Sequence, residues 1–591
     1  MRVSLCWIVL APLAWAGCRS PEGFDNVDRW PTPERGAVVS EHPLATRAGL
    51  AVLESGGNAA DAAVATALAL AVVYPQAGNL GGGGFALFVP HDPNVAPACF
   101  DFRETAPARL VPELFHDASG AIDPRRSLET PLAVGVPGSP AGLYELQSKL
   151  GRLDFETVVE PALRLAQDGF AVDAWLERDL RNGTLRRRLE QGGADIFYPD
   201  GEPLAAGDRL RQPALARTLE ALARRGPRAF YSGPVADAIA GRLADGGVLT
   251  QADLAAYRVR LRDPLRGWFA GLEVITVPPP SSGGVLLLQM LAILDGFPLD
   301  AERQRSATLE SATEDGISGR ALHWWIETMR RSFADRAAHL GDPDHVAVPV
   351  RDLLSARWIA ERRVSIGERA NPTIGPMPKP ALRLDGETTH ISVLDGDGNA
   401  VSLTTTLNTT FGSGLFVPEV GILLNNEIDD FALALDVANV YGLMGSEANL
   451  VGPNRRPLSS MTPAVVRDGG RVVRHVLGSP GGPRIITAVL QVLLRMEVYG
   501  QSLEEAIRAP RVHQQWSPEG TFVEPGWDAD VLNWLVERGH LLVPMPPSAS
   551  VQGIRVEVGG KPEAYSDPRR GGAGGIEGEG VALPATPPSG E

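Results

Sequence analysis

A threonine-rich hairpin in the second half of the chain restricts the possible folds most. The runs "THISVLD" (389–395) and "AVSLTTTL" (400–407) flank "DGDGN", whose Gly, Asp and Asn supply hairpin-turn chemistry. The surrounding segment 384–414 holds ten threonines and serines among 31 residues. Threonine is β-branched and favoured in strands, so composition alone makes these residues structural. Thr388 in "GETTH" is the candidate nucleophile, but a threonine in mid-chain has no evident base to activate it.

Before Arg383 the texture is different. "HPLATRAGLAVLESGG" places Pro43 in the first turn of a helix that stops at Gly56–Gly57. "NAADAAVATALALAVVYPQ" follows, with Asn58 as its cap and an Ala-rich body suited to burial. "GGGGFALFVP" reads as a glycine loop entering a strand, and "ACFDFRETAP" continues the sheet. Residues 155–345 read largely as helix, except 301–320, whose Ser, Glu and Arg content suggests an exposed loop. After the hairpin, "GILLNN" is a short strand and "RIITAVLQVLLRMEVYG" a buried helix. Strands from both halves with helices on either side predict an α+β fold, sheets covered by helical layers. At 591 residues the chain can build several domains or one large layered core.

The formal net charge of -16, without a basic patch, leaves no electrostatic footprint for nucleic acid or anionic membranes. The N-terminus instead carries Arg2 and an apolar run, Val3–Ala16, too short to span a bilayer but suited to an export signal. "WAGC" resembles a bacterial lipoprotein signal, with Cys18 as the lipidated residue after a signal at 1–17; cleavage near Ala16 is the alternative. Residues 18–35 read as a flexible tether and 571–591 as a disordered, Gly-rich tail. Of the cysteines Cys6, Cys18 and Cys99, only Cys99 belongs to the body, as a buried hydrophobe. No intramolecular disulfide is expected.

Several chemistries lose their usual support. "GNLGGGG" lies between a helix and a strand, the reverse of a dinucleotide fingerprint, so a tight turn with close backbone approach explains it better. H-E-x-x-H, C-x-x-C and G-x-S-x-G are all absent. A set of motifs in one order remains: "SEHPLATRAGLAVLESGGNAADAAVATALAL", "DFRETAP", "PPPSSGG", "ADRAAHLGDPD", the hairpin, "GILLNNEIDDF", "NVYGLMG", "PNRRPLSSMTP" and "GSPGGPRIIT". Together, over about 36–565, they are similar to the gamma-glutamyltransferases, exported enzymes of the N-terminal nucleophile hydrolase superfamily.

That resemblance implies a four-layer αββα sandwich formed by two subunits of one precursor, 36–387 and 388–570. The precursor cuts itself at Glu387–Thr388, and the new α-amine, with a pKa near ~7.7–8.0, serves Thr388 as general base. Thr406 would orient the nucleophile, and the backbone N–H groups of Gly481 and Gly482 would form the oxyanion hole. Arg103, with Ser459 and Ser460, would take the substrate's α-carboxylate. Asn408, Glu427 and Asp430 would take its α-amine, and Tyr441 would close a lid. Taken singly, Arg103 is equally compatible with a surface pair to Glu104. The implied reaction cleaves the γ-glutamyl bond of glutathione and related donors, passing the acyl group to water or an amino acid or dipeptide acceptor. No cofactor or metal is implied, and contact with a membrane is expected only through a lipid on Cys18. The alternatives are a glutaryl or cephalosporin acylase of the same fold, or an inactive surface-anchored binding homologue. The expected location is the periplasm or outer membrane, otherwise secreted.

Overall fold

A computed structural model describes residues 33–306, 316–371, 386–435, 437–469, 472–557 and 559–583. The signal, Cys18 and most of the tether lie outside the described residues.

Two stacked sheets form the centre. Among the described residues the larger has eight strands, in the order Gly580–Ala582, Ala573–Ile576, Ala37–Ser40, Gly386–Leu394, Ala400–Thr409, Gly83–Val89, Ala98–Asp101 and Arg260–Arg262. The smaller has six: Pro562–Ser566, Gln552–Val556, Val472–Gly478, Ala464–Asp468, Leu272–Thr276 and Leu265–Phe269. Between the sheets Phe85, Leu87 and Val89 meet Ile275, Val465, Val476 and Ile554. On the far side of the large sheet, Ala86, Phe88, Ile391 and Val401 pack against the helices Pro43–Glu54 and Ala59–Val73. The helices Gly283–Leu294, Gly319–His339 and Arg484–Glu497 cover the small sheet. This is the expected αββα sandwich.

Strand alternation places the hairpin's polar residues. Ile391 and Val393, and across the hairpin Val401 and Leu403, face the helical layer. Thr388, His390, Ser392, Ser402, Thr404 and Thr406 therefore share the opposite face, toward the second sheet. There they form a seam: His390 Nδ1 lies 2.8 Å from Thr404 Oγ1, and Ser402 Oγ donates to Leu477 O (2.9 Å). Ser392 Oγ donates to Gln552 O (3.0 Å). Burial lowers His390 to about 3, so the imidazole is neutral. Thr388 and Thr406, directly paired across the hairpin, stand at the end of this seam.

The glycines before the Gly83–Val89 strand serve close approach. A Cβ on Gly82 would stand 1.9 Å from Thr406 O, and one on Gly84 2.1 Å from Thr404 O. Asn58 caps its helix through a capping box with Asp61, and Cys99 is buried without a disulfide. Among the described residues no single helix is long and apolar enough to cross a membrane.

Two expectations need correction. Residues 571–583, assigned to a disordered tail, are ordered: Ala573–Ile576 pairs antiparallel with Ala37–Ser40, and Gly580–Ala582 pairs with it in turn. Their glycines reflect packing, since a Cβ on Gly574 would lie 2.1 Å from Ala564 O and one on Gly575 2.5 Å from Leu50. The remainder, 584–591, lies outside the described residues. The expected loop at 301–320 begins as helix, Leu299–Ser306, with Asp300 and Glu302 in its first turn and Arg303 and Arg305 in its last, complementing the helix dipole. Residues 307–315 lie outside the described residues.

Candidate active site

Thr388 and Thr406 open onto a cleft of about 280 Å³, also lined by Arg103, Asn408, Glu427, Asp430, Tyr441, Ser459, Ser460 and Gly482. These residues come from both halves of the chain and from distant elements. Thr388 Oγ1 and Thr406 Oγ1 are 3.2 Å apart, and the Asn408 N–H donates to Thr406 Oγ1 (2.8 Å). The ladder shifts register between Thr406 and Thr409, where Asn408 adopts φ 80°. Asparagine tolerates this left-handed region, and such an irregularity re-aims side chains next to functional sites.

Arg103 follows the strand Ala98–Asp101 and is completely buried. The surface pair with Glu104 therefore does not exist: the guanidinium faces three carboxylates inside the protein. Nη1 binds Glu427, Nη2 donates to Asp430 Oδ2 (2.5 Å), and Nε donates to Pro457 O (3.2 Å). Glu104 Oε2 lies 3.7 Å from Nη1, and among the described residues no other residue donates a hydrogen bond to its buried oxygens. Burial pushes Glu104 up to about 7, against the pull of Arg103, and raises Glu427 well above the ordinary carboxylate range for the same reason. The acidic turn Glu427–Asp430 is held by its neighbours: Asn425 Nδ2 donates to Gly81 O and Gly135 O, and Asn426 Nδ2 to Leu128 O.

Two motifs join behind the serines. Ser282 N donates to Ser459 O and Ser459 N to Pro280 O, both at 2.8 Å, so "PPPSSGG" and "RPLSSMTP" form one bridge. Arg336 Nε donates to Ser282 Oγ (3.1 Å), and burial lowers this second guanidinium to about 10. Tyr441 is buried over the site. Its hydroxyl donates to Asn408 O (2.6 Å), and its ring carbons would lie 3.0 Å from a Cβ on Gly482. Gly481 and Gly482 precede the helix Arg484–Glu497 with φ of 125° and 58°. Among the described residues no acceptor takes their N–H groups. Gly481 itself is absent from the cleft lining. Glu387 continues the strand ahead of Thr388, but its side chain lies outside the described residues. Among the described residues no group of three His, Cys, Asp or Glu side chains could hold a metal ion.

Residues 45–576 match the Gamma-glutamyltranspeptidase family profile. The chain belongs to the gamma-glutamyltranspeptidase family. It is 43% identical over 542 residues to the glutathione hydrolase proenzyme of Escherichia coli (strain K12), covering 91% of this chain and 90% of that protein. The Bacillus subtilis (strain 168) glutathione hydrolase proenzyme is 36% identical over 576 residues, 94% of either chain. Among solved structures, a cephalosporin acylase from Bacillus halodurans superposes with a TM-score of 0.78 at 27% identity, covering 98% of this chain and 100% of its own. A Helicobacter pylori gamma-glutamyltranspeptidase gives 0.50 at 36% identity, over 58% of this chain and 94% of its own.

Around the cleft, sequence reasoning passed over three neighbours. Met461 and Ile485 line the wall, and both directly follow or flank motif residues already singled out. Asn439 is the third. Its Nδ2 donates to Asp430 Oδ1 (3.1 Å) while its Oδ1 accepts from Tyr441 N and Leu443 N (3.0 Å each), tying the Tyr441 segment, the expected lid, to the acidic turn. Its place in "NVYGLMG", two residues before Tyr441, was the available signal.

Proposed function

We propose that this chain is a self-processing gamma-glutamyl hydrolase and transpeptidase that uses Thr388 as an N-terminal nucleophile. The carrying observation is that the hydroxyl pair Thr388–Thr406 shares one cleft with the Arg103–Glu427–Asp430 cluster and Ser459–Ser460. In the precursor the Thr388 hydroxyl attacks the Glu387 carbonyl, and water hydrolyses the resulting ester, freeing the α-amine. That amine then takes the Thr388 proton as the oxygen attacks the γ-carbonyl of the donor, and passes it to the leaving amine. Water or an acceptor amine next resolves the γ-glutamyl ester. The unengaged N–H groups of Gly481 and Gly482, at a helix N-terminus, suit the oxyanion.

Charge favours an α-amino acid donor. Arg103 already pairs with Glu427 and Asp430, so an α-carboxylate would share or take over the guanidinium from them. A zwitterion brings its own ammonium to pair with Asp430, whereas a glutaryl group brings only negative charge beside the acidic turn. This supports glutathione and other γ-glutamyl donors over the acylase reading. By its N-terminal sequence the protein is exported, with Cys18 as a possible site of lipid attachment, to the periplasm or outer membrane.

The test is a denaturing gel with N-terminal sequencing. Active wild type should give two bands, the smaller beginning at Thr388, and Thr388→Ala one band without activity on a γ-glutamyl anilide. A single full-length band from active wild type overturns the self-processing reading.

A further inference from the structure

Four buried charges, far in sequence from Gly481, grip the loop that Gly481 rests on. Arg511, Glu524 and Asp567 are each at most 3% exposed, and the Arg569 side chain is 10% exposed. Asp567 Oδ2 accepts from Arg511 Nη2 (2.7 Å), and Arg569 donates to Asp567 Oδ1 (3.1 Å) and to Glu524 Oε2 (2.7 Å). The outward bonds of this quartet reach two backbone stretches: Arg511 and Arg569 donate to Ile507 O, and Arg569 to Ala509 O, at the end of the helix Leu503–Arg508, and the others hold residues 548–551. Glu524 Oε1 accepts from Ser548 N (2.8 Å), Arg511 Nη1 donates to Ala549 O, and Asp567 Oδ2 accepts from Val551 N (3.1 Å). Asp567 N closes the loop by donating to Val551 O (3.1 Å). Between these anchors Ala549 is held at φ 62°, a conformation an alanine adopts only when its surroundings impose it. A Cβ on Gly481 would meet Ala549 Cβ at 2.9 Å and Cα at 3.0 Å. Replacing a buried ionic group with apolar side chains is often neutral for stability, so stability alone does not account for four such groups that tie the 548–551 stretch to the end of a helix.

We propose that the Arg511–Glu524–Asp567–Arg569 quartet is a positioning device for the oxyanion hole, fixing the Gly481–Gly482 amides through Ala549. The proposal rests on the assignment of those amides to the hole. Ala549 is the narrow point of the device, and the quartet the rigid base behind it. Although burial pushes the Asp567 carboxyl up, Arg569 and Arg511 hold it below its ordinary range, so the base stays charged.

Ala549→Gly tests this directly, because glycine adopts the positive φ without strain and the Cβ that Gly481 meets is removed from the loop. Arg569→Lys keeps the charge but loses the fork. With a γ-glutamyl anilide, kcat should fall about tenfold in Ala549→Gly, since small displacements of hole donors are costly. Affinity for a glutamate analogue bearing a boronic acid in place of the γ-carboxyl should fall in parallel. Inhibition by L-2-aminobutyrate, which keeps the α-amino-acid head but has no γ-carboxyl to place in the hole, should stay within about twofold of wild type. An unchanged kcat in Ala549→Gly, or equal losses for boronate and aminobutyrate, overturns the proposal. Gly481→Ala separates the two levels. If it loses kcat while Ala549→Gly does not, only the positioning role falls; if neither loses kcat, the hole assignment falls with it.

Discussion

Asp430→Asn probes the charge balance of the site with little change of shape. The Asp430 side chain is 12% exposed and shares its two oxygens between Arg103 Nη2 and Asn439 Nδ2. An asparagine can still accept from Arg103, and Glu427 continues to pair with the same guanidinium, so folding and processing should survive. The variant loses one negative charge where the donor's α-ammonium is proposed to bind. A hydrogen bond between charged groups contributes about 1.5–3 kcal/mol, which at about 1.4 kcal/mol per tenfold is a roughly ten- to hundredfold loss in kcat/KM for a γ-glutamyl anilide.

The same substitution should affect a glutaryl anilide in the opposite sense. That compound lacks the ammonium, so Asp430 gives it only repulsion next to Arg103, and removing the charge should leave its kcat/KM unchanged or raise it. The quantity to measure is the ratio of the two kcat/KM values, with two-band processing and the thermal midpoint as folding controls. Wild type should favour the γ-glutamyl compound, and Asp430→Asn should compress the preference at least tenfold. Wild type that prefers the glutaryl compound, or an Asp430→Asn variant with an unchanged ratio, would refute the charge-exchange reasoning.

Other consequences are equally measurable. Burial raises Glu104 to about 7 in the fold, so its carboxyl is protonated in folded and unfolded chains below about pH 4.5, and wild type loses stability as pH rises from there to about 7. The thermal midpoint of Glu104→Gln relative to wild type should therefore climb across that window and level off above it; a constant difference would show that Glu104 does not titrate there. Asn439→Ala takes the acceptor from two lid amides and a donor from Asp430, so KM for the γ-glutamyl anilide should rise roughly tenfold with kcat within about threefold. Deleting 573–591 strips the Ala37–Ser40 strand of one of its two neighbours and should yield aggregated protein, read as loss of the monomer peak in size-exclusion chromatography.

The layered fold was legible because its signals are local. Pro43, Asn58 and the "DGDGN" turn mark element ends where the structure has them. The facing of the hairpin was not, since its strands are buried on both sides and the polar face of one sheet meets a second sheet rather than water. Composition likewise misled at Gly574, where glycine is required by a neighbouring carbonyl and not by disorder. Only the family resemblance raised Thr388 from a strand former to a nucleophile; its pairing with Thr406 depends on hairpin register, which the turn implies only once both strand ends are known. The partners of Arg103 were further from reach. They lie 324 and 327 residues away, and no local pattern distinguishes a buried fork from a surface pair.

Asp430 connects recognition with closure. One oxygen neutralises Arg103, and the other accepts from Asn439, whose carbonyl side holds the lid amides of Tyr441 and Leu443. Tyr441 in turn reaches Asn408, whose own N–H donates to the hydroxyl beside Thr388. Under the proposed function, a donor's ammonium arriving at Asp430 would touch the first member of a hydrogen-bonded path that ends at the Thr388–Thr406 pair. It would compete with Arg103 for one carboxylate oxygen while the other keeps its bond to Asn439. Recognition of the α-amine and retention of the Tyr441 turn then draw on different oxygens of one carboxylate, and a substrate without the amine forfeits only the first.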